Sequence, residues 1–284
     1  MPEPFIQKYW HLIALGGIIA LFLGLQQNIL VDVQQFPNPL YGGDYYHSLG
    51  VVNHLYYGGS IFENSQALDE YPWTPPLYHG SVAMFAKATG LSTFDAVLYS
   101  NIIFTILIGM LSYLLGSLLL KNRILGLVMA AFLLGGNTLY YHYHATRTIT
   151  MLLLLVTLFY SYKTRKLWAI IAAGGSFGLV MLAHTSASVA AGFLIGLFLV
   201  YISFIRYFRI KSSKVSFNIG RFRKDLPKHI RYGALIFGIG ILIGMLYWYV
   251  PIFELHLETP NNMQEFTYVS VETLGEQIAQ GSSY

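Results

Sequence analysis

Seven apolar runs constrain what this chain can fold into more than any other feature. They cover approximately residues 11–30, 96–120, 124–140, 149–162, 167–183, 187–205 and 232–253. Several approach or exceed the roughly 20 residues that an α-helix needs to cross a bilayer core. Inside lipid no water is available to backbone N–H and C=O groups, so a single apolar run must satisfy them internally as a helix. The charged fraction agrees, at 11%, where soluble domains carry about 25%. The expected fold class is therefore all-α: a polytopic membrane protein with seven transmembrane helices. The run at 149–162 is short for a crossing and is expected to recruit flanking residues or to sit where the bilayer is thin. The opening MPEPFIQKYW leads into the first run without a small-residue cleavage site, so that run reads as a retained helix rather than a removed signal peptide.

Charge sets the orientation. With the N-terminus inside, Lys8, Lys121, Arg123, Lys163, Arg165 and Lys166 all fall on the cytoplasmic side. So does the block Arg206, Arg209, Lys211, Lys214, Arg221, Arg223, Lys224, Lys228 and Arg231. Of the 17 cations only Lys87 and Arg147 fall outside, which is the positive-inside pattern. The net charge of +4 is thus a membrane-topology signal and not a nucleic-acid one, and the basic 206–231 loop is expected to touch anionic head groups. Of the 13 acidic residues, only Glu3 and Asp225 fall inside. His47, His54, His79, His142, His144, His184 and His256 also lie at or near the outer face. Acid–base and metal-binding potential is therefore gathered on one side. This predicts a multi-pass protein of the cell membrane with its C-terminus outside.

The organisation follows from these spans. Residues 1–253 form the seven-helix module, and 254–284 form an outer juxtamembrane segment. The first outer loop, at about 31–95, is far longer than the others, and structureless loops of that length are uncommon in compact proteins. Its tyrosines and Trp73 suit the membrane interface. Within it, 45–57 and 77–88 read as two amphipathic helices lying on the membrane surface. Pro72, Pro75 and Pro76 keep the chain extended until Leu77.

Five sets of residues could carry chemistry on the outer side. Asp44 follows two glycines and precedes a helical pattern. It reads both as an N-cap and as a carboxylate that binds a hard cation or abstracts a proton. Asp69 and Glu70 are either solvated loop charges or a second acid, with Glu70 facing Asp44. His142 and His144, two positions apart on a segment read as an extended turn, point the same way. They either complete a metal site with Asp44 or sit among interfacial tyrosines. Arg147 either snorkels to lipid phosphates or binds a phosphate group of a ligand. His184, beside Thr185 and Ser186, faces a cavity or a helix contact through the small residues of 183–192. The segment 254–258, Glu-Leu-His-Leu-Glu, alternates polar and apolar as a strand or surface helix. There is no cysteine, Walker loop, HExxH or GxSxG, so thiol chemistry is excluded and nucleotide-driven chemistry has no motif to support it.

These residues, in this order, resemble the membrane module of the GT-C superfamily of polyprenyl-phosphate-dependent glycosyltransferases. That group includes protein O-mannosyltransferases, aminoarabinose transferases and oligosaccharyltransferase catalytic subunits. The resemblance rests on a first helix, then a long outer loop with Asp44 in GGDYYHSLGVVNHLYYGG. Next comes the aromatic-proline stretch YPWTPPLYHGSVAMFAKATG, similar to the family's KPPLYYW…FG segment, and then six more spans. Where the family often has a second acid, in the turn between spans three and four, this chain has His142, His144 and Arg147. The family usually has more spans and a soluble C-terminal domain, so this chain is expected to be a minimal member, a fragment or one subunit beside a partner.

The resemblance implies an inverting transfer of a sugar, on the outer face, from a polyprenyl-phosphate donor to an acceptor protein, glycan or lipid. It implies Asp44 as the catalytic carboxylate, and the outer-face residues themselves add Glu70 and Arg147 to the expected site. Arg147 and His184 would contact the donor, and Asp44, His142 and His144 would hold Mg2+ or Mn2+. A non-catalytic module that binds lipid-linked sugar or scaffolds a complex is the alternative. A transporter would predict charges at mid-span and an internal repeat, and neither is seen.

Overall fold

The computed structural model describes residues 5–30, 33–34, 43–63, 75–137, 142–204, 207–211 and 214–254. The chain divides into two compact units, Met1–Tyr247 and Trp248–Tyr284. In the second, the described residues are the last two of a long helix and a π-helical turn, Val250–Glu254, within which the Tyr249 and Phe253 rings lie 5.4 Å apart. The rest of segment 254–258 lies outside the described residues.

The first unit is helical apart from one hairpin. Its helices are α1 (Phe5–Leu30), α2 (Gly43–Tyr56), α3 (Leu77–Thr89), α4 (Thr93–Leu120), α5 (Arg123–Asn137), α6 (His142–Thr164), α7 (Leu167–Ala183), α8 (Thr185–Ser203) and α9 (Ile219–Tyr249), whose last two residues belong to the second unit. A helix stands at each of the seven apolar runs. Five segments are long and apolar enough to cross a membrane: Lys8–Asn28, Thr93–Leu120, His144–Thr164, Thr185–Ser203 and Ile219–Glu254. The remaining two, α5 and α7, are apolar but only 15 and 17 residues long. Many large apolar side chains face outward, among them Phe132 at 77% and Leu246 at 76% exposure. Such a surface suits a lipid environment, because in water each fully exposed side chain of this size forgoes about 1.5–3 kcal/mol.

Three local expectations change. The run at 149–162 does recruit its flanks, and α6 starts at His142. Positions 142 and 144 are therefore helical, about 200° apart around the axis, and do not share a face as they would on an extended segment. Next, α2 begins at Gly43, so Asp44 sits in its first turn rather than at its cap. Finally, the basic 206–231 stretch is no plain loop. It forms an antiparallel hairpin of β1 (Phe208–Lys211) and β2 (Lys214–Phe217), with Phe208 opposite Phe217. The rings of that pair lie 5.0 Å apart, and such aromatic cross-strand pairs stabilise small hairpins. Asn218 then caps α9, its side-chain oxygen accepting the Arg221 N–H at 3.0 Å. The all-α expectation is corrected to that extent.

Packing is organised around α4 and α6. Helix α4 lies against α5 and α6, α6 against α7, and α1 against α4 and α5. Helices α2 and α3 pack on each other and on α4, and α3 also reaches α6 and α7. Without a hydrophobic driving force between helices in lipid, close backbone approach and buried hydrogen bonds must hold them. Both occur here. Thr105 donates to Gln26 at 2.8 Å, Thr157 to Ser176 at 3.2 Å, and the Ser161 and Tyr232 hydroxyls pair at 2.7 Å. On α7, Gly174 and Gly178 face Ile239 and Ile243 of α9, while Gly240 and Gly244 of α9 face Phe177 and Met181. Each helix thus presents a small-x-x-x-small pair to the other.

Candidate functional site

The candidate site forms where the first turns of α6 and α8 meet. Positions 147, 151 and 155 of α6 lie one above another at helical spacing, with 148 and 152 beside them. Arg147 and Thr148 stand at the polar end, while Met151, Leu152 and Leu155 continue down the same face. Across from them α8 offers only the small side chains of Ser186, Ala187 and Ala190, and α5 contributes Leu133. Because α8 is small there, the helices leave a groove of about 340 Å³. The eight helical steps from Arg147 to Leu155 give it a length of about 12 Å. Phe132 and Val189, next in sequence to two of the lining residues, are 77% and 74% exposed. The groove therefore opens toward the apolar outer surface of the bundle, and its head carries a guanidinium.

His144 and His184 complete the polar end. Their rings stack at 6.4 Å with an interplanar angle of 24°. His184 is the single residue between α7 and α8, held extended, and its Nδ1 lies 3.0 Å from the Ser186 hydroxyl. Burial lowers the His184 imidazole below its ordinary range, and the Arg147 charge lowers it further. The imidazole is therefore neutral at physiological pH and adds hydrogen-bonding capacity without repelling Arg147. Arg147 carries five N–H donors in a planar fork that matches the oxygens of a phosphate. The arrangement can bind an amphiphile that has a phosphate head and a hydrocarbon tail.

Of the residues singled out in the sequence, Arg147, His144 and His184 come together at this one place. The Asp44 and His142 side chains and all of Glu70 lie outside the described residues, although the backbones of Asp44 and His142 belong to α2 and α6. Of the proposed metal set, His144 is thus the described side chain, and it packs on another imidazole. Among the described residues no three His, Asp or Glu side chains are grouped to hold a metal ion.

His79 differs from the other outer histidines. It is 2% exposed, wedged beside the Tyr78 and His47 rings at 5.0 and 6.2 Å, and neither ring nitrogen has a hydrogen-bond partner among the described residues. Burial, with a smaller push from His47, drives its imidazole down to about 3. It serves the α2–α3 core rather than an aqueous rim.

The groove walls were not foreseen, because Leu133, Met151, Leu152 and Leu155 read only as membrane-span residues. The one available signal was the run of small residues at 183–192. Part of that run makes the helix contact expected of it, with Ala187 and Ala191 buried, and part leaves the trough.

No family model matches the chain, and no solved structure matches it. A curated relative does: the uncharacterized protein MJ1080 of Methanocaldococcus jannaschii is 32% identical over 110 residues, covering 39% of this chain and 82% of that protein.

Proposed function

This chain belongs to the family of the Methanocaldococcus jannaschii protein MJ1080, and we propose that it is a multi-pass membrane glycosyltransferase using a polyprenyl-phosphate sugar. In this reading α5 and α7 cross the membrane with the five longer segments, giving seven spans. The N-terminus is cytoplasmic, α2 and α3 lie at the outer surface, and the C-terminus is outside the cell membrane. The placement of 15 of the 17 cations, all but Lys87 and Arg147, supports that orientation.

The observation that carries the reading is the apolar groove headed by Arg147. The prenyl chain lies in the groove, and the donor phosphate meets Arg147 beside the His144–His184 pair. The acceptor nucleophile loses its proton to Asp44, with Glu70 nearby, and attacks the anomeric carbon. The bond from that carbon to the phosphate oxygen breaks, and the charge left on the polyprenyl phosphate is taken up by Arg147. Attack opposite the leaving group inverts the anomeric centre. The order of motifs shared with GT-C transferases supports Asp44 in this role. A divalent ion held by Asp44 belongs to the same proposal; His142 and His144, on different faces of α6, do not ligate it together.

The test uses the purified chain in proteoliposomes with a panel of prenyl-phosphate sugars. Arg147→Gln should weaken donor binding about 10- to 100-fold, the loss expected for one charge-assisted contact of about 1.5–3 kcal/mol. Asp44→Asn should abolish transfer while leaving donor binding within about twofold. If neither change affects binding or transfer, the reading is wrong. Arg147-dependent binding without transfer by the unaltered chain would instead identify a non-catalytic lipid-linked-sugar module.

A further inference from the structure

A second cavity lies at the opposite end of the bundle. Seventeen positions separate Arg147 from Thr164 at the end of α6, about 26 Å at 1.5 Å per residue, close to the thickness of a bilayer core, and Arg165 follows directly. There Arg165 in the turn after α6, the start of α7 and the first half of α9 border a cavity of about 660 Å³. Arg165, Arg221, Lys228 and Arg231 line it, against a single carboxylate, Asp225.

That carboxylate is already engaged. It accepts the Tyr207 hydroxyl at 2.9 Å and lies 3.9 Å from Arg221 Nε and 3.8 Å from Lys228 Nζ. Tyr207 in turn lies 3.0 Å from His229 Nε2, which ties the start of α9 to the hairpin. Among the described residues Arg165 and Arg231 have no carboxylate partner. Arg165 lies over two aromatic rings, 4.5 Å from the Tyr162 centroid and 5.5 Å from that of Tyr232. Stacking of this kind fixes a guanidinium plane and leaves its N–H edges for an oxyanion. The other wall is apolar, made by Leu167, Ile170 and Leu235. Leu167 is 62% exposed, and its neighbour Trp168 is also exposed, so the wall continues onto the lipid-facing surface.

We infer that this cavity is a headgroup site for an anionic phospholipid. Arg165 and Arg231 grip the phosphate, and the first acyl carbons lie along Leu167 and Ile170. A soluble phosphate ester would satisfy the cations but would leave the apolar wall unused, so the pairing of the two walls selects a lipid. The site is separate from the Arg147 groove and stands whether or not that groove serves sugar transfer.

The test is native mass spectrometry of the full chain released from detergent with phosphatidylglycerol, phosphatidylcholine or glycerol phosphate. The unaltered chain should retain one phosphatidylglycerol in preference to phosphatidylcholine. Arg165→Asn and Arg231→Gln should each lower that retention about tenfold or more. Asparagine is chosen at 165 because that residue has φ 57°, which Asn tolerates. Arg223→Gln, an exposed cation of α9 outside the cavity, should change retention less than about twofold, and Arg165→Lys should keep the fold while losing part of the affinity. Equal losses at Arg223 and Arg165 would overturn the site in favour of diffuse surface charge. Retention of phosphatidylcholine as strong as that of phosphatidylglycerol, or displacement of the lipid by glycerol phosphate at equal concentration, would overturn the lipid assignment.

Discussion

The contact between α7 and α9 can be tested with two neighbouring glycines. A Cβ placed at Gly178 would lie 2.5 Å from Ile243 Cβ, 2.7 Å from Ile243 Cγ2 and 3.1 Å from the Gly240 carbonyl oxygen. Carbon atoms pack comfortably at about 3.5–4.0 Å, so Gly178→Ala forces the helices apart by about 1 Å. The obstacle includes a β-carbon and a backbone oxygen, and neither can rotate away. Overpacking of this kind costs about 1–3 kcal/mol. At Gly175, three positions earlier, the nearest atom to a new Cβ is Ile243 Cδ1 at 3.9 Å, an ordinary contact. Both substitutions carry the same gain in helix propensity, up to about 1 kcal/mol. That gain cancels in the comparison, and the difference isolates the steric cost.

The assay is thermal unfolding of the two variants in the same detergent, followed by circular dichroism. Gly175→Ala should match or exceed the unaltered chain, and Gly178→Ala should fall below Gly175→Ala by about 1–3 kcal/mol. A difference under about 0.5 kcal/mol, or one of opposite sign, would mean that α7 and α9 do not meet through these glycines.

Three further outcomes follow from the same geometry. The His79 imidazole sits near 3 in the folded chain and at 6.5 in a model peptide, so below about pH 6.5 the unfolded chain takes up a proton that the folded one refuses. Stability should then fall as pH drops toward 3, by up to about 1.4 kcal/mol per pH unit, and His79→Phe should flatten that part of the melting-temperature profile. Tyr232→Phe removes the hydroxyl that pairs with Ser161 and should cost about 0.5–1.5 kcal/mol in the same melts, while an unchanged melting temperature would mean that the pair does not form. Ala190→Phe narrows the groove beneath Arg147 and should weaken binding of a long-chain prenyl phosphate at least severalfold more than that of a short-chain analogue, as read by competition titration. Equal effects on both would remove the chain from the groove.

The sequence alone determined where helices form. Hydropathy is a local, additive property, and in lipid it leaves the backbone no choice but a helix, so each apolar run carries one and the prolines before Leu77 mark the start of α3 to the residue. Arg147, His144 and His184 were legible as polar residues at the ends of apolar runs, since residue type and position along the chain suffice to flag them.

Other features needed the tertiary structure. Whether positions 142 and 144 share a face depends on whether residue 142 is extended or helical, and only the structure shows that α6 begins there. The hairpin in the basic stretch depends on one strand finding its partner. One cavity required side chains from three helices and the other from two helices and the turn after α6, with small residues on α8 leaving the first open and a tyrosine-stacked arginine orienting the second. Nothing in a linear pattern records which apolar face meets a neighbour and which meets lipid, because both look equally hydrophobic. Only the close approach of backbones, as at Gly178 and Gly240, separates them.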